Sequence, residues 1–362
     1  MVRILHAADF HLDSAFGGLK GSQAVQRRQE SRETVEQLVD YGNDHGAQLM
    51  LLAGDLFDSD SLYAQTTEAL AKALERFAGE VVIAPGNHDY CSVNSPWKKM
   101  LWPENVHVFT TPEIRSFDFP AYGCRVYGAA FTGPEQTQEL DLSALQPDPE
   151  RVNIGLFHGD VGIRDSRYRP ISIGTIKDSG LSYLALGHVH GFRGVEKAGK
   201  TFWAYPGCLE GRGFDETGEK GFLFGTVEEE TVRLQFVPFA GHRYTILPVD
   251  VSRGDPLEAV ENLLPPDVSR DLYRIILTGK TQKAIDAKEI YHKLEKRFYN
   301  VEVRNETAIY QDVWEKEGDD SLRGLFLREM HNRYDSAETE EERQKIAMAV
   351  RFGMNAMENR EM

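Results

Sequence analysis

The tripeptide Asn87-His88-Asp89 holds the side chains of this sequence that are best suited to chemistry. It follows an apolar run that begins at Val81 and a Pro-Gly dipeptide, a combination that predicts a buried strand ending in a tight turn. Ligands of open α/β sheets bind just beyond the carboxyl ends of strands. An amide oxygen, an imidazole and a carboxylate at that place could hold a metal ion or move a proton, although a polar loop without function can have the same composition.

Four further polar clusters follow predicted strands in the same way. Five of the 11 histidines lie in the five clusters, which makes chance a poor explanation. Asp, Asn and His side chains are ligands for Mn, Fe or Zn. Seven such ligands exceed the needs of one tetrahedral ion and suit two ions about 3.5–4 Å apart, a recurrent arrangement for cleaving phosphate esters. The four clusters are Asp9 with His11, Asp55 with Asp58, His158, and His188 with His190.

Predicted strands and helices alternate along the part of the chain that carries the first three clusters. Strands are predicted at residues 2–6, 49–53 and 81–83, with helices at 23–45 and 62–77 between them. This order predicts right-handed βαβ units and a parallel sheet, so all the strand ends can face one rim. The domain organisation that we predict is a catalytic domain at 1–240, a small α+β domain at 241–315 and a helical tail at 316–362.

Composition limits the classes of protein that this chain can belong to. It has 362 residues, of which 41% are hydrophobic and 10% aromatic, enough for packed domains. Its three cysteines make no disulfide framework, and it has no apolar run long enough to span a bilayer. We therefore expect a cytoplasmic protein with reduced thiols and no membrane contact.

Charge argues against broad nucleic-acid binding, because 41 basic and 57 acidic residues leave a formal net charge of −16. Bound metals and local basic patches would weaken that objection. Two loops and one further arginine carry the candidate cations, although packed loops with solvent-directed lysines are an equally good interpretation. These candidate substrate-binding residues are Lys98 and Lys99 beside Trp97, then Arg164, Arg167 and Arg169, and finally Arg212.

The ordered motifs resemble those of the calcineurin-like metallophosphoesterase superfamily. The segments 6–12, 54–58 and 186–190 are similar to SbcD-like DNA-repair exonucleases, and the segments 11–14 and 205–212 are most similar to the YhaO-like branch. The resemblance covers residues 1 to about 240 and is weaker beyond. It implies a four-layer αββα sandwich with a small α+β capping domain and C-terminal helices.

The resemblance also implies roles for individual residues. It assigns one ion to Asp9, His11, Asp55 and His190, and the other to Asp55, Asn87, His158 and His188, so that Asp55 bridges the two. Manganese is the expected metal, with Fe, Zn or Mg as alternatives. His88 is left as the catalytic group that would protonate the leaving oxygen or stabilise the charged transition state, and Asp58 would orient and charge it through a hydrogen bond. Asp89 receives no role.

The function that the resemblance implies is a Mn-dependent DNA nuclease, a 3′-to-5′ exonuclease with possible endonuclease activity, in DNA repair or end processing. The alternative is a phosphatase or cyclic-nucleotide phosphodiesterase with the same metal centre. A non-enzymatic scaffold should have lost ligands, whereas here all seven positions are filled.

The same resemblance implies DNA, a second copy of the chain and an SbcC-like coiled-coil ATPase as partners. Apolar residues at helical spacing in the tail, such as Leu325 and Val350, suggest a docking hairpin for that ATPase. Packing of the tail against the preceding domain would explain the same pattern.

Overall fold

A computed structural model describes residues 1–59, 64–143, 145–239, 241–281, 283–309, 314 and 316–357. The predicted helix start at 62 and the predicted domain limits at 240 and 315 lie outside these residues. The helices are α1 (Gly21–Asp44), α2 (Ala64–Glu75), α3 (Pro96–Lys99), α4 (Ile173–Asp178), α5 (Pro256–Glu261), α6 (Ala287–Leu294), α7 (Leu322–Ser336) and α8 (Glu340–Met357). None of them is long and apolar enough to cross a membrane.

The described strands fall into two large sheets and three small ones. Those before residue 150 are β1 (Val2–Ala7), β2 (Leu49–Leu52), β3 (Glu80–Ile83), β4 (Val106–Val108), β5 (Arg115–Phe119) and β6 (Cys124–Gly128). The next eight are β7 (Val152–His158), β8 (Asp160–Val161), β9 (Pro170–Ile171), β10 (Tyr183–Gly187), β11 (Glu196–Ala198), β12 (Thr201–Ala204), β13 (Gly221–Val227) and β14 (Val232–Pro238). The last five are β15 (Tyr244–Asp250), β16 (Leu272–Thr278), β17 (Lys280–Thr281), β18 (Asn300–Asn305) and β19 (Ala308–Ile309).

Both large sheets have parallel centres. The first has the order β14-β13-β1-β2-β3-β4, and β1 to β4 are parallel, as the alternating strand–helix pattern predicts. The second has the order β11-β12-β10-β7-β6-β5, and β12, β10, β7 and β6 are parallel. The carboxyl ends of these parallel strands are where the polar clusters begin.

Alternation along the strands builds the four layers. In β1, Leu5 packs in a core with Leu38 of α1, whereas Ile4 packs in a second core with Ile154 of β7. Successive strand side chains point to opposite faces, so the first sheet has helices on one face and the second sheet on the other. A third core lies on the far face of the second sheet and includes Ile176 of α4. The predicted αββα sandwich is therefore confirmed.

The chain divides into two compact units. The first comprises 1–246, 267–273 and 297–300, and it contains both large sheets. The second comprises 247–266, 274–296 and 301–362, and it contains α5 to α8. The three-part division at 240 and 315 stays a prediction.

His6 connects the two large sheets inside the sandwich. Its Nε2 donates to the Leu186 carbonyl oxygen at 3.2 Å, and its Nδ1 accepts from the Tyr183 hydroxyl at 2.8 Å. Burial lowers the pKa of His6 to about 3 from its ordinary value of 6.5, so the ring is neutral in the folded state at neutral pH.

Acidification should therefore destabilise the fold through His6. Below the ordinary pKa of His6, the unfolded chain binds a proton at this residue that the folded chain does not. The free energy of unfolding is therefore highest above about pH 6.5 with respect to His6, and it falls as the pH decreases toward 3. Between about pH 6.5 and pH 5 the expected loss is roughly 2 kcal/mol. Urea unfolding of the wild type and of His6→Leu at both pH values checks this, since the variant should lose that part of the pH dependence. If the free energy of unfolding changes equally with pH in the two proteins, this expectation is wrong.

Candidate metal centre

The seven predicted ligands meet at one rim of the sandwich. The first sheet contributes the residues that follow β1, β2 and β3, and the second sheet those at the ends of β7 and β10. Five of the seven are buried, and His188 and His190 are half-buried. The buried five are Asp9, His11, Asp55, Asn87 and His158.

Two groups of donor atoms form within this set. Asp9, His11 and His190 place one ligand atom each within 4.8 Å of one another, and the Nε2 atoms of the two histidines are 3.2 Å apart. Asp55, His158 and His188 form the second group under the same limit. The resemblance assigns the same residues to two ions, with Asp55 added to the first group and Asn87 to the second.

Asn87 joins the second group through its side-chain oxygen. That oxygen lies 3.0 Å from Nε2 of His158 and 3.1 Å from Nδ1 of His188. The Asp55 carboxylate lies between the groups, with Oδ2 3.4 Å from His158 Nε2 and 3.8 Å from His11 Nε2. One carboxylate near both sets is the arrangement that a pair of bridged ions requires.

The donor chemistry fits divalent cations. Nitrogen and oxygen donors without thiolate suit Mn, Fe or Zn in a catalytic rather than a structural site. Burial, reinforced by the Asp55 carboxylate, raises the pKa of Asp9 well above its ordinary value, whereas burial lowers the pKa of His11 to about 4. A divalent ion would offset the cost of burying these carboxylates, and a neutral imidazole is the form that binds metal.

The backbone around the site is held in uncommon conformations. Asp9, His11, Asp55 and His188 all have positive φ, between 46° and 109°, and they are four of the seven non-glycine residues with positive φ in the described chain. Such strain persists where the surrounding structure enforces it and concentrates at functional sites. Gly86 allows the Asp55 carboxylate to approach the backbone closely, because a Cβ there would collide with Oδ1 of Asp55.

Asp89, which the sequence left without a role, fixes two turns to each other. It is buried, and its carboxylate accepts hydrogen bonds from the backbone N–H groups of Gly86 at 2.7 Å, Leu56 at 2.8 Å and Asp55 at 3.2 Å. Burial, with help from the Asp55 charge, raises the pKa of Asp89 to about 7. The carboxylate thus holds the turn before Asn87 against the turn that contains Asp55.

His88 differs from the predicted ligands because it is exposed. Its ring lies edge-on to His11 with centroids 4.8 Å apart, and its backbone N–H donates to Oδ1 of Asp55 at 2.9 Å. Its Nδ1 donates to the backbone carbonyl of Asp58 at 3.2 Å. The Nε2 atom is therefore the ring nitrogen left for a substrate.

The predicted hydrogen bond from the Asp58 side chain to His88 is wrong. Oδ1 of Asp58 instead lies 3.1 Å from Nδ1 of His11 and accepts from Arg212 at 2.9 Å. Only the Asp58 backbone oxygen reaches His88. The carboxylate is committed to His11 because the buried imidazole and the guanidinium are both closer donors.

Glu216 is a site residue that sequence reasoning missed. Its Oε1 lies 2.6 Å from Nδ1 of His190, and it also accepts from Arg212. Its spacing from the other site residues follows no motif, and the only signal was its closeness to Arg212 in the sequence. Burial alone would raise the pKa of Glu216, but hydrogen bonds from His190 and Arg212 hold that pKa well below its ordinary value.

The predicted substrate-binding cations differ in their exposure and in their partners. Lys98, Lys99 and Arg164 are exposed, whereas Arg167 is also exposed but pairs with Glu135. Arg212 is half-buried between two carboxylates. Trp97 is buried and stacks on Trp102, so it packs the protein interior rather than offering a surface to bases.

The prediction that Arg169 contacts substrate is wrong. The side chain is buried, and its guanidinium donates to the carbonyl oxygens of Ala129 at 3.1 Å and Ala130 at 2.7 Å and to Gln136 Oε1 at 2.7 Å. It also lies 4.6 Å from the Phe131 ring centroid. Arg169 therefore binds the loop to the sandwich and has no surface for a phosphate.

Similarity to known proteins agrees with this site. The family model for calcineurin-like phosphoesterase matches residues 2–192. The uncharacterized metallophosphoesterase YhaO of Bacillus subtilis is 28% identical over 277 residues, which are 74% of this chain and 67% of YhaO.

Two archaeal proteins named DNA double-strand break repair protein Mre11 are also similar. The Methanopyrus kandleri protein is 27% identical, over 65% of this chain and 57% of its own length. The Saccharolobus solfataricus protein is 30% identical, over 52% of this chain and 50% of its own length. The chain thus spans about half the length of the Mre11 proteins it matches. With more than half of its residues matched by the family model and the donor groups of a dinuclear site at one rim, the chain belongs to the calcineurin-like phosphoesterase family.

Proposed function

We propose that this metal-dependent phosphoesterase is a Mn-dependent DNA nuclease, a 3′-to-5′ exonuclease with additional endonuclease activity that processes DNA ends in repair. The observation that carries the proposal is the similarity to two Mre11 proteins over 52–65% of the chain. The chain itself supplies an exposed imidazole at His88 and exposed cations at Lys98, Lys99 and Arg164 for a polymeric phosphodiester.

The site residues would have two separate roles in hydrolysis, metal binding and proton delivery. Two bound divalent ions would lower the pKa of water and neutralise the charge of the phosphate. Asp9, His11 and His190 would hold one ion, and the set of Asp55, Asn87, His158 and His188 the other, with Asp55 shared. His88, exposed beside them, is the residue that delivers a proton to the leaving oxygen, for which an imidazole is well suited near neutral pH.

Labelled oligonucleotides test this proposal directly. The purified chain, stripped of metal and reloaded with Mn²⁺, Mg²⁺ or Zn²⁺, should shorten single- or double-stranded DNA from the 3′ end with Mn²⁺ and more slowly with the other ions. Strands blocked at the 3′ end and circular DNA separate exonuclease from endonuclease cleavage. DNA that stays intact under every metal, in a protein that hydrolyses bis(4-nitrophenyl) phosphate, would reject the nuclease proposal.

A phosphatase or cyclic-nucleotide phosphodiesterase is the second candidate, and the charges near the site favour it. Arg169 and Arg212 are committed to protein partners, Arg167 pairs with Glu135, and the formal net charge is −16. A small ester needs fewer cations than a DNA strand. Hydrolysis of nucleotide monoesters or cyclic nucleotides by the monomer is the result that would support it.

Replacement of Lys98 and Lys99 by alanine should weaken DNA binding. Both are exposed on α3, which follows the Asn87–Asp89 turn. If both lysines contact phosphates, KM for DNA rises. The slope of the logarithm of the binding constant against the logarithm of the salt concentration (the salt slope) falls in magnitude by about 2, roughly one per lysine. Cleavage of bis(4-nitrophenyl) phosphate should not change. Lys200→Ala, at an exposed lysine paired with Glu230, is the matched control. An unchanged salt slope would mean that these lysines do not contact the DNA phosphates.

We also propose that the protein acts with partners, as a homodimer bound to an SbcC-like coiled-coil ATPase through α7 and α8. Leu327 and Val350 are buried, and Gly353 lies against the Phe326 ring, so the helices pack together as a hairpin. Apolar side chains remain exposed on it, with Leu325 at 58% and Met348 at 60%. Truncation before Ser321 should abolish co-purification with the ATPase, whereas retained co-purification would exclude this hairpin.

A further inference from the structure

His11 and His190 are arranged as a matched pair. Their Nε2 atoms are 3.2 Å apart, and each Nδ1 contacts a carboxylate: Asp58 at 3.1 Å from His11 and Glu216 at 2.6 Å from His190. A carboxylate that is ionised only accepts, so the neutral form of each ring that makes this contact carries its proton on Nδ1. Nε2 of each ring is therefore left with the lone pair that binds a metal.

One guanidinium joins the two carboxylates. Arg212 donates from one terminal nitrogen to Asp58 Oδ1 at 2.9 Å and from the other to Glu216 Oε1 at 2.7 Å. Its backbone N–H donates to the second oxygen of Glu216 at 2.8 Å. The planar fork of arginine can make both contacts at once, which a lysine ammonium on a flexible chain does not reproduce.

Part of this network is shielded from water, and it connects two loops. The Glu216 side chain is 7% exposed and that of His11 0%, so water competes weakly for their contacts. The other side chains of the network are 21% exposed at Arg212, 28% at His190 and 32% at Asp58. Asp58 follows β2, whereas Arg212 and Glu216 lie between β12 and β13. Arg212 therefore ties together two loops that come from distant parts of the sequence.

We propose that Arg212 is a positioning residue that, through Asp58 and Glu216, holds His11 and His190 with Nε2 toward the ion they share with Asp9. The inference rests on the proposed function only for the presence of that ion. Asp58 and Glu216 are then orienting groups and not ligands, because a guanidinium charge less than 3 Å from each repels a cation at that place.

Metal binding without any substrate tests this proposal. Metal-free protein is titrated with Mn²⁺, and the bound ions are counted by equilibrium dialysis and distinguished by electron paramagnetic resonance as coupled or mononuclear. Arg212→Ala should weaken one of two ions by about 10–100-fold, the usual cost of removing an outer-shell partner, and should give a mononuclear signal where the wild type gives a coupled one. Arg212→Lys should not restore the affinity.

Two further variants complete the design. Glu216→Gln retains size and one acceptor but loses charge, and we expect it to weaken the same ion. Glu219→Gln changes an exposed carboxylate three positions away and should bind both ions like the wild type. If Arg212→Ala does not fold by circular dichroism, Glu216→Gln decides the result.

Wild-type affinity for both ions in Glu216→Gln and Arg212→Ala would overturn the proposal, as would equal weakening of both ions or full rescue by Arg212→Lys. Failure of the nuclease proposal is a separate result. A wild type that binds two ions and leaves DNA intact rejects the nuclease, while selective loss of one ion in Arg212→Ala would still support the positioning role.

Discussion

Replacing His88 by alanine should lower the rate of phosphodiester cleavage by about 10²–10⁴-fold, the usual contribution of a general acid or base. The bound metal should stay at the wild-type level. The physical reason is that only the ring is removed: the backbone N–H that donates to Asp55 remains in the variant. The rate with saturating Mn²⁺ and the metal content of the same preparation are the two measurements.

The outcome of this experiment separates two roles for the imidazole. His88 lies with His11 and Asp58 in a third group of potential ligand atoms, so loss of metal in the variant would make it a ligand. Loss of rate with full metal content supports proton delivery. An unchanged rate would exclude both the ligand role and proton delivery by His88. His292→Ala, at an exposed histidine outside the site, is the control for the removal of an imidazole.

Replacing Asp89 by alanine should reduce the free energy of unfolding by roughly 3–9 kcal/mol, since three buried backbone donors lose their acceptor at about 1–3 kcal/mol each. Those donors belong to Gly86, Asp55 and Leu56, all buried. The loss should be visible in metal-free protein by urea unfolding. It should also weaken metal binding, because Asn87 and Asp55 would no longer be held in place.

The matched control for Asp89 is Asp165→Ala, at an exposed carboxylate of the loop after β8. We expect that variant to unfold like the wild type, as surface substitutions usually do within about 0.5 kcal/mol. A change of less than about 1 kcal/mol in Asp89→Ala would contradict the tie between the two turns, because one lost buried hydrogen bond already costs that much.

Local pattern was sufficient for the parallel sheet and for the donor set, whereas the four-layer sandwich was an implication of the family resemblance. Apolar runs such as Leu49–Leu52 are buried on both faces in the structure, and each is followed by the polar cluster that its position predicts. Because parallel strands place their carboxyl ends along one edge, strand order and polarity bring the clusters together. Asp9, His11 and Asp55 were therefore predictable without any coordinates.

Pairings across long sequence separations were not predictable in this way. Asp58 and Arg212 are 154 residues apart, and no spacing rule connects them. Arg169 shows the same limit, since a cation in a basic loop has the same sequence whether it faces phosphate or the carbonyl oxygens of Ala129 and Ala130.

The amino-acid order alone gives the residue types at the strand ends, and with them the chemistry of the donor set. The folded structure was needed to show which carboxylate contacts which imidazole, that Asp89 connects two turns, and that Glu216 belongs to the site. The physical reason is that strand periodicity and polarity are local properties of the chain. Hydrogen-bond pairing and burial depend on which loops the packed sheets bring together.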